Sequence, residues 1–266
     1  MTIHYTLLGQ YLTELYAAST LEARFHVFGR YIQLLGFTGA TYTFAPAIQI
    51  EALPQLPMIF LYTDSFPLDF LHEYNQERFD RRDFTIRKVL NGETKPMDWR
   101  EHELQGGLSA EEVGLIQLAR ERYGILNAIS IPTMREEKGA AGMSIISAKE
   151  DEAFQQLKRE KMETLLAMVR VFHETNFYDK HWPRQFIAPV FQSLTEHEKK
   201  ILRYLASDKT MKRIKQDVGI SSSYAENILL ALRKRLGIAT THRLMYLFGL
   251  LSDLDDIPKT NKLPDL

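Results

Sequence analysis

The 266-residue sequence contains no cysteine. A disulfide framework, a thiolate metal site and a cysteine nucleophile are therefore excluded. A targeting signal is also lacking, since the N-terminus has no basic start and carries Glu14 where a signal peptide is apolar. The longest stretch without charge, Tyr31–Ile50, holds Gly36, Gly39 and Pro46, which are typical of strands and turns rather than of a membrane-spanning helix. We therefore expect a cytoplasmic protein without a membrane partner.

Catalytic motifs are scarce as well. The sequence has no GxSxG pattern and no phosphate-binding loop. Two segments, His72–Gln76 and His173–Phe177, begin like a zinc-protease motif but lack its second histidine. We therefore expect no metal, no cofactor and no enzymatic activity, with a hydrolase of unknown type as the remaining enzymatic alternative.

The charge is balanced overall but divided along the chain. There are 33 Lys and Arg against 34 Asp and Glu, a net charge of −1. Residues 1–180 carry a net charge of −6, residues 181–252 carry +7, and the last 14 residues carry −2. An acidic block followed by a smaller basic block indicates two domains with different partners. The segment at the change contains two prolines, and it is the expected linker.

The acidic block alternates helical and strand-like patterns. Apolar spacing predicts helices over 5–35, Phe66–Asn75, Asp83–Leu90, Ala110–Tyr123 and Asp151–Asn176. Strands are expected at Thr38–Pro46, at Leu56–Asp64 (buried on both faces), and in an antiparallel pair formed by Ala128–Met134 and Gly139–Ala148. This order predicts an α+β protein whose N-terminal domain is an α/β/α sandwich with an antiparallel sheet.

The basic block reads as a series of short helices. Thr195 and Glu198 form a capping-box pattern, Thr210 can cap a short second helix, and Gly219 suits a sharp turn. Ser221 or Ser223 then caps a third helix. Inward-facing residues of these helices are Ile201, Leu202, Leu205, Ile214, Val218, Ala225, Ile228, Leu229, Leu232 and Leu236.

A short helix, a glycine turn and a longer helix form the helix-turn-helix pattern, in which the second helix enters the DNA major groove. The expected groove-facing residues are Ser222, Ser223, Glu226, Asn227, Leu230 and Arg233. The expected backbone contacts are Lys209, Thr210, Lys212, Arg213, Lys215, Lys234 and Arg235. The competing interpretation is a four-helix bundle with a solvated basic face.

Residues 194–238 resemble the C-terminal DNA-binding domain of the LuxR family of transcription regulators. The matching positions include Leu194, Thr195, Glu198, Leu202, Lys209, Thr210, Ile214, Gly219, Ile220, Ser221, Leu236 and Gly237. Departures are Asp208 for the usual glycine, Tyr224-Ala225 for Thr-Val, and Glu226 at an often basic position. A carboxylate at 226 repels phosphate but can accept a hydrogen bond from cytosine N4.

Aromatic residues stand out in the acidic block. Phe66, Phe70 and Tyr74 recur at i, i+4 and i+8 on one helix face, and Asp83 starts the next helix. The simplest interpretation is an aromatic core. However, a carboxylate in an apolar environment needs a donor, none is evident nearby in the sequence, and a ligand N–H can supply it.

This pattern resembles the LuxR-type domain that binds acyl-homoserine lactones. The resemblance assigns Phe70, Tyr74, Asp83, Phe84, Trp99, Ala128 and Ser147 to the ligand site. It implies that Asp83 accepts the ligand amide N–H, that Tyr74 donates to the acyl carbonyl, that Trp99 packs on the head group and that Ser147 assists.

Three of these positions depart from the family pattern, which has Trp, Pro and Gly where this chain has Phe70, Phe84 and Ala128. Phenylalanine has no N–H, so the usual donor to the lactone carbonyl is missing. An unpaired carbonyl in a buried site costs about 1–3 kcal/mol. The sequence therefore favours a compact ligand with an N–H and a carbonyl, either an acyl-homoserine lactone or a related amide.

Together these patterns predict a homodimeric LuxR-type quorum-sensing regulator. Its domains are a ligand-sensing domain (1–178), a linker (179–192), a helix-turn-helix domain (193–252) and a polar tail (253–266). The LuxR resemblance implies dimer contacts on the long helix Asp151–Asn176 and on the last helix, where Leu244, Phe248 and Leu251 form either a dimer seam or the closing face of the bundle. The alternatives are a regulator that answers a non-lactone signal or needs none, and a family member that acts through heterodimers without binding DNA.

Overall fold

The computed structural model describes residues 2–46, 58–136, 139–177, 194–207 and 209–249. The chain divides into two compact units, one holding the elements up to Phe177 and the other the helices from Glu196 onward. The predicted linker and polar tail, like Asp208, lie outside the described residues. Among the helices of the described ranges, none combines the length and apolar character needed to cross a bilayer.

The first unit is α+β. Its helices are α1 (Thr2–Ala17), α2 (Leu21–Leu35), α3 (Leu68–Gln76), α4 (Phe84–Leu90), α5 (Trp99–Gln105), α6 (Ala110–Tyr123) and α7 (Asp151–Phe177). Its strands are β1 (Gly39–Pro46), β2 (Phe60–Tyr62), β3 (Met97–Asp98), β4 (Asn127–Glu136) and β5 (Gly139–Ser147). The predicted helices and three of the predicted strands are present. The short elements β3 and α5 were not predicted from the sequence.

The five strands form one antiparallel sheet in the order β2-β1-β5-β4-β3. The two edge strands are very short, with three residues in β2 and two in β3. The prediction of a strand over Leu56–Asp64 buried on both faces is therefore wrong: among its described residues only Phe60–Tyr62 pair, and Tyr62 is 36% exposed. An apolar run alone does not distinguish a central strand from an edge strand.

Helices pack on both faces of this sheet. On one face Tyr42 of β1 contacts α7, with its ring 5.3 Å from that of Phe172 and its hydroxyl 2.9 Å from Nδ1 of His173. On the other face Ala128 of β4 and Ile146 of β5 pack against α3 and α6. Side chains alternate between the faces along each strand, so residue parity determines which helices a side chain meets.

The second unit is helical. It contains α8 (Glu196–Ala206), a 3-10 turn (Met211–Arg213), α9 (Ile214–Val218), α10 (Ser222–Arg235) and α11 (Thr241–Gly249). The capping box of Thr195 and Glu198 is present, and Ser221 caps α10 by accepting from the Tyr224 N–H. The prediction for Thr210 is wrong, because this residue precedes a 3-10 turn and its side chain makes no capping bond. Gly219 ends α9 with φ of 75°, as its position between two helices predicts.

The core of the second unit joins all four helices. Leu244 and Phe248 of α11 are buried in it with Ile201, Leu202 and Leu232. Their burial within the unit favours closure of the bundle over a dimer seam for these two residues. Leu251 lies outside the described residues.

Candidate functional site

An aromatic wall covers one face of the sheet near α3. The buried rings of Phe70 and Tyr74 lie 5.9 Å apart between centroids. Tyr74 also contacts Phe60 of β2 at 5.4 Å and Phe79 at 5.8 Å, and Phe70 contacts Tyr123 of α6 at 5.3 Å. All four pairs meet edge to face, one of the geometries that ring quadrupoles favour. The i, i+4 spacing seen in the sequence therefore builds part of a continuous aromatic surface.

The turn after α3 carries the chain from this wall to Asp83. Arg78 has φ of 52°, the one positive value among the described non-glycine residues. Its guanidinium donates two hydrogen bonds to the Asp80 carboxylate, at 2.9 and 2.8 Å. These bonds stabilise a left-handed conformation that costs roughly 1–2 kcal/mol in a residue with a Cβ. After this turn, Phe79 contacts the Tyr74 ring and Asp83 lies at the start of α4.

Asp83 is the N-cap of α4, and its donors come from the protein. Its Oδ1 accepts from the Thr85 N–H at 2.8 Å, from the Thr85 hydroxyl at 2.7 Å and from the Ile86 N–H at 3.4 Å. Its Oδ2 accepts from the Tyr74 hydroxyl at 2.8 Å. The expectation that no donor is near Asp83 in sequence is therefore wrong, because a capping carboxylate bonds residues two and three positions ahead.

Burial and hydrogen bonding act in opposite directions on this carboxyl. Burial raises the pKa of Asp83, whereas the bonds from Thr85 and Tyr74 lower it, and the net direction is upward. Burial, followed by the neighbouring Asp83 carboxylate, holds the pKa of Tyr74 well above its usual value. Tyr74 therefore stays protonated near neutral pH. In this structure the Tyr74 hydroxyl donates its hydrogen bond to Asp83. The LuxR resemblance instead assigns this donor to the ligand carbonyl.

Trp99 connects the aromatic wall to two serines on the sheet. Its indole Nε1–H donates to the Ser130 hydroxyl of β4 at 2.9 Å, and this oxygen lies 2.8 Å from the Ser144 hydroxyl of β5. Ser130 and Ser144 are register partners, so they share a face of the sheet with another paired couple, Ala128 and Ile146. Neither serine was predicted from the sequence, although the two-residue period of each strand places Ser130 on the face of Ala128 and Ser144 on the face of Ile146.

Ser147 lies on the opposite face of the sheet. It stands three residues after Ser144, so its side chain points away from Trp99. Its buried hydroxyl accepts from the Lys149 N–H at 3.1 Å. The structure therefore does not bring Ser147 together with the other predicted site residues, whereas Ser144 lies on their face of the sheet.

The remaining predicted residues line the edges of the site. Ala128 is fully buried in the same apolar cluster as Phe70 and Tyr74. Phe84 belongs to a smaller cluster with Met97 and Ile116, and Trp99 packs against both clusters. The structure thus brings six of the seven predicted residues together around Trp99 and α3.

In the second unit, most residues predicted to contact DNA are exposed. These are Lys209, Thr210, Lys212, Arg213, Lys215, Ser223, Glu226, Asn227, Leu230, Lys234 and Arg235, whereas Ser222 and Arg233 are half-buried. Tyr224, absent from the predicted set, is 47% exposed at the start of α10.

Four of the predicted contacts have partners within the unit. Ser222 donates to the Met211 carbonyl at 2.9 Å and so fixes the 3-10 turn to α10. Arg233 donates to the Ala239 carbonyl at 2.6 Å. Arg235 and Lys209 pair with Glu198 at 3.0 Å and Asp217 at 3.3 Å, respectively. Of these, the half-buried Ser222 and Arg233 have structural roles that their sequence positions do not reveal.

The chain is similar to two solved structures at low sequence identity. The structure named as the N-acylhomoserine lactone dependent LuxR family transcription factor CepR2 from Burkholderia cenocepacia is 14% identical, with a TM-score of 0.49 over 67% of this chain and 100% of that chain. Escherichia coli SdiA is also 14% identical, with a TM-score of 0.49 over 93% of this chain and 98% of its own. No curated protein matches the chain.

The sequence family gives a direct assignment. The family model of the autoinducer-binding domain matches residues 20–175, which is more than half of the chain and includes the aromatic wall, Asp83, Trp99 and both serines. The chain therefore belongs to the autoinducer-binding-domain family, which confirms the LuxR-type resemblance of its sequence.

Proposed function

We propose that this chain is a non-enzymatic transcription regulator of the LuxR quorum-sensing type. Residues 1–178 bind a small signal molecule, residues 179–192 link the two domains, and residues 193–252 form a helix-turn-helix domain that binds DNA. The regulator acts in the cytoplasm. It binds DNA as a homodimer, because two half-sites about one DNA turn apart multiply a weak monomer affinity. The signal is an N-acyl-homoserine lactone or a related amide.

The proposed signal-binding function rests on the hydrogen-bonding capacity that the Asp83 carboxylate retains. Its Oδ1 is occupied by the bonds that cap α4, whereas Oδ2 takes one bond, from Tyr74, among the described residues. A carboxylate oxygen accepts more than one hydrogen bond. Asp83 is therefore a fixed acceptor at an aromatic wall with capacity for the N–H of an amide ligand.

A donor for the ligand carbonyl comes from the paired serines. Ser130 accepts from Trp99, and one of the two serine hydroxyls donates to the other. Whichever hydroxyl donates, the proton of the second remains for a ligand. An acceptor at Asp83 and a donor at Ser130 or Ser144 together match an N–H and a carbonyl, which is the polar content of an amide.

Binding is tested by thermal unfolding of the full chain with a panel of acyl-homoserine lactones and simple acyl amides. Affinity is followed through Trp99 fluorescence in a Trp182→Phe background, since the chain has two tryptophans. Ser144→Ala should weaken binding about 5- to 150-fold, the equivalent of about 1–3 kcal/mol for an unsatisfied buried carbonyl. The matched variant Ser147→Ala, on the other face, should leave affinity unchanged. Equal effects of the two variants would contradict the assigned site, and a response to amides alone would identify a non-lactone signal.

The DNA-binding function rests on a short helix, a left-handed glycine and a longer exposed helix in a unit of basic charge. A ligand changes DNA binding only if it binds two states of the protein with different affinities. Ordering of the sensor domain and reorientation of the two DNA-binding domains through the linker are both compatible with this requirement.

Fluorescence anisotropy with a labelled duplex at several salt concentrations tests this function. A regulator that neutralises several phosphates loses affinity steeply as salt rises, and Lys212→Ala should reduce the slope. Weak binding without a salt dependence would instead support the heterodimerising alternative. In that case, size-exclusion chromatography with a related regulator should show a mixed dimer.

A further inference from the structure

The solvent-exposed side of α10 carries an asparagine and a leucine, side chains that can contact base edges. Ala225, Leu229 and Leu232 are buried, so the opposite side of the helix faces solvent. At 3.6 residues per turn, the centre of that side is formed by Ser223, Asn227, Leu230 and Lys234. The acidic Glu226 lies toward one margin of this side. Along the helix axis, the residues between Ser223 and Lys234 in this group are therefore an amide and an aliphatic side chain rather than charged groups.

Basic residues stand at both ends of this exposed side. The bond from Ser222 to the Met211 carbonyl places the 3-10 turn, with the exposed Lys212 and Arg213, beside the start of α10. Lys234 lies near the other end of the helix. Positive charge at both ends suits the two phosphate backbones that border a groove, and the major groove is wide enough to admit an α-helix.

The chemistry of the two central residues fits adenine and thymine. An asparagine amide donates to N7 and accepts from the N6 amino group of adenine, and apolar side chains contact the thymine methyl group. Asn227 and Leu230 are separated by about 4.5 Å along the helix axis, close to the roughly 3.4 Å between stacked base pairs. Leu230 is 57% exposed, so its side chain is accessible for contact with a base edge.

We propose that Asn227 and Leu230 read neighbouring A·T base pairs, with Asn227 bonded to an adenine and Leu230 packed on a thymine methyl group. This inference rests on the proposed DNA-binding function and adds the identity of two base pairs to it. Lys212, Arg213 and Lys234 set affinity without sequence preference.

The first experiment selects binding sites from a randomised duplex pool with the full-length chain, in the presence and absence of a mixture of acyl-homoserine lactones. The selected half-site should contain two adjacent A·T pairs. Replacing either pair with G·C should weaken binding by the chain about 5- to 150-fold. Salt-dependent binding to all duplexes without an A·T preference would overturn this inference alone. Absence of salt-dependent binding would overturn the proposed DNA-binding function with it.

The second experiment pairs each side chain with the atom it is proposed to contact. A duplex with 7-deazaadenine lacks N7, and one with deoxyuridine lacks the thymine methyl group. The unaltered chain should lose affinity for both duplexes. Asn227→Ala should lose further affinity only when deoxyuridine replaces thymidine, and Leu230→Ala only when 7-deazaadenine replaces adenine. Both substituted residues are exposed, so the variants should fold, and Lys212→Ala serves as a control that weakens binding to every duplex equally. Equal responses of the variants and the unaltered chain would overturn the assignment.

Discussion

The hydrogen bond between Tyr74 and Asp83 links two parts of the proposed ligand site, α3 and the start of α4. The Tyr74 hydroxyl of α3 donates to Oδ2 of Asp83, at a distance of 2.8 Å between the two oxygens. It also opposes the rise in the Asp83 pKa that burial causes. Its loss therefore affects both the stability of the first unit and the protonation of the carboxyl.

We expect Tyr74→Phe to lower the free energy of unfolding by about 1–3 kcal/mol, because it leaves a partly buried acceptor without its donor. Removal of this bond should also raise the Asp83 pKa further. Urea denaturation measures the first effect, and carboxyl titration by NMR measures the second. Tyr16→Phe is the matched control, since Tyr16 is 67% exposed, and a loss of similar size there would contradict the prediction.

His173 of α7 is expected to make stability depend on pH. Burial lowers its pKa from 6.5 to about 4, and the neutral ring lies against the Tyr42 hydroxyl. The unfolded chain therefore takes up a proton before the folded chain does. The stabilisation is complete above about pH 6.5 and falls as the pH drops toward 4, by up to about 3 kcal/mol.

Denaturant unfolding of wild-type protein and of His173→Gln across this pH range measures the difference. The variant should show a flatter dependence between pH 6.5 and 4, whereas His26→Gln, at an exposed histidine, should follow the wild-type curve. Parallel curves for wild-type protein and His173→Gln would show that His173 is not the group responsible.

At the scale of elements, the sequence predicted long helices and the central strands well and short elements poorly. The 27 residues of α7 repeat an apolar stripe over many turns, whereas β3 has two residues and no periodicity to detect. The extent of β2 depends on its position at the sheet edge, which is a tertiary property. The resemblance indicates the strand that contains Ser147 but does not fix which of its residues face α3, because a strand's faces alternate at every residue.

The turn between α9 and α10 gives a test at this scale. Gly219 has φ of 75°, and a Cβ added there meets nothing within 4 Å, so the backbone angle alone opposes a side chain. Gly219→Ala should therefore destabilise the second unit by about 1–2 kcal/mol. Gly249→Ala, in the same unit and without a positive φ, should be neutral or slightly stabilising. Thermal unfolding compares the two, and equal midpoints would contradict the assigned turn.

At the scale of the whole molecule, the near-neutral total charge describes neither block of the chain. The sequence divides into an acidic block at −6 and a basic block at +7, and the structure divides into two compact units. The net charge of each block therefore describes the molecule better than the total charge does. The linker and the tail, by contrast, lie outside the described residues.

We expect each unit to respond to its own ligand during unfolding. Scanning calorimetry should resolve two transitions, since each unit has its own apolar core. A lactone or amide at about 100 times its Kd should stabilise the first unit by about 2.7 kcal/mol and raise the midpoint of its transition. A selected duplex should in the same way raise the midpoint for the second unit. A single transition that shifts with either ligand would show instead that the two units unfold as one.

The short edge strands limit how copies of this protein can associate. Strand pairing between molecules needs a row of unpaired N–H and C=O groups, and edges of three and two residues present few of them. The sheet is thus a poor template for edge-to-edge growth, including the ordered aggregation that exposed strands promote. From the described strands we therefore expect copies of this chain to associate through surfaces other than the sheet edges, and concentrated protein should remain free of strand-paired assemblies.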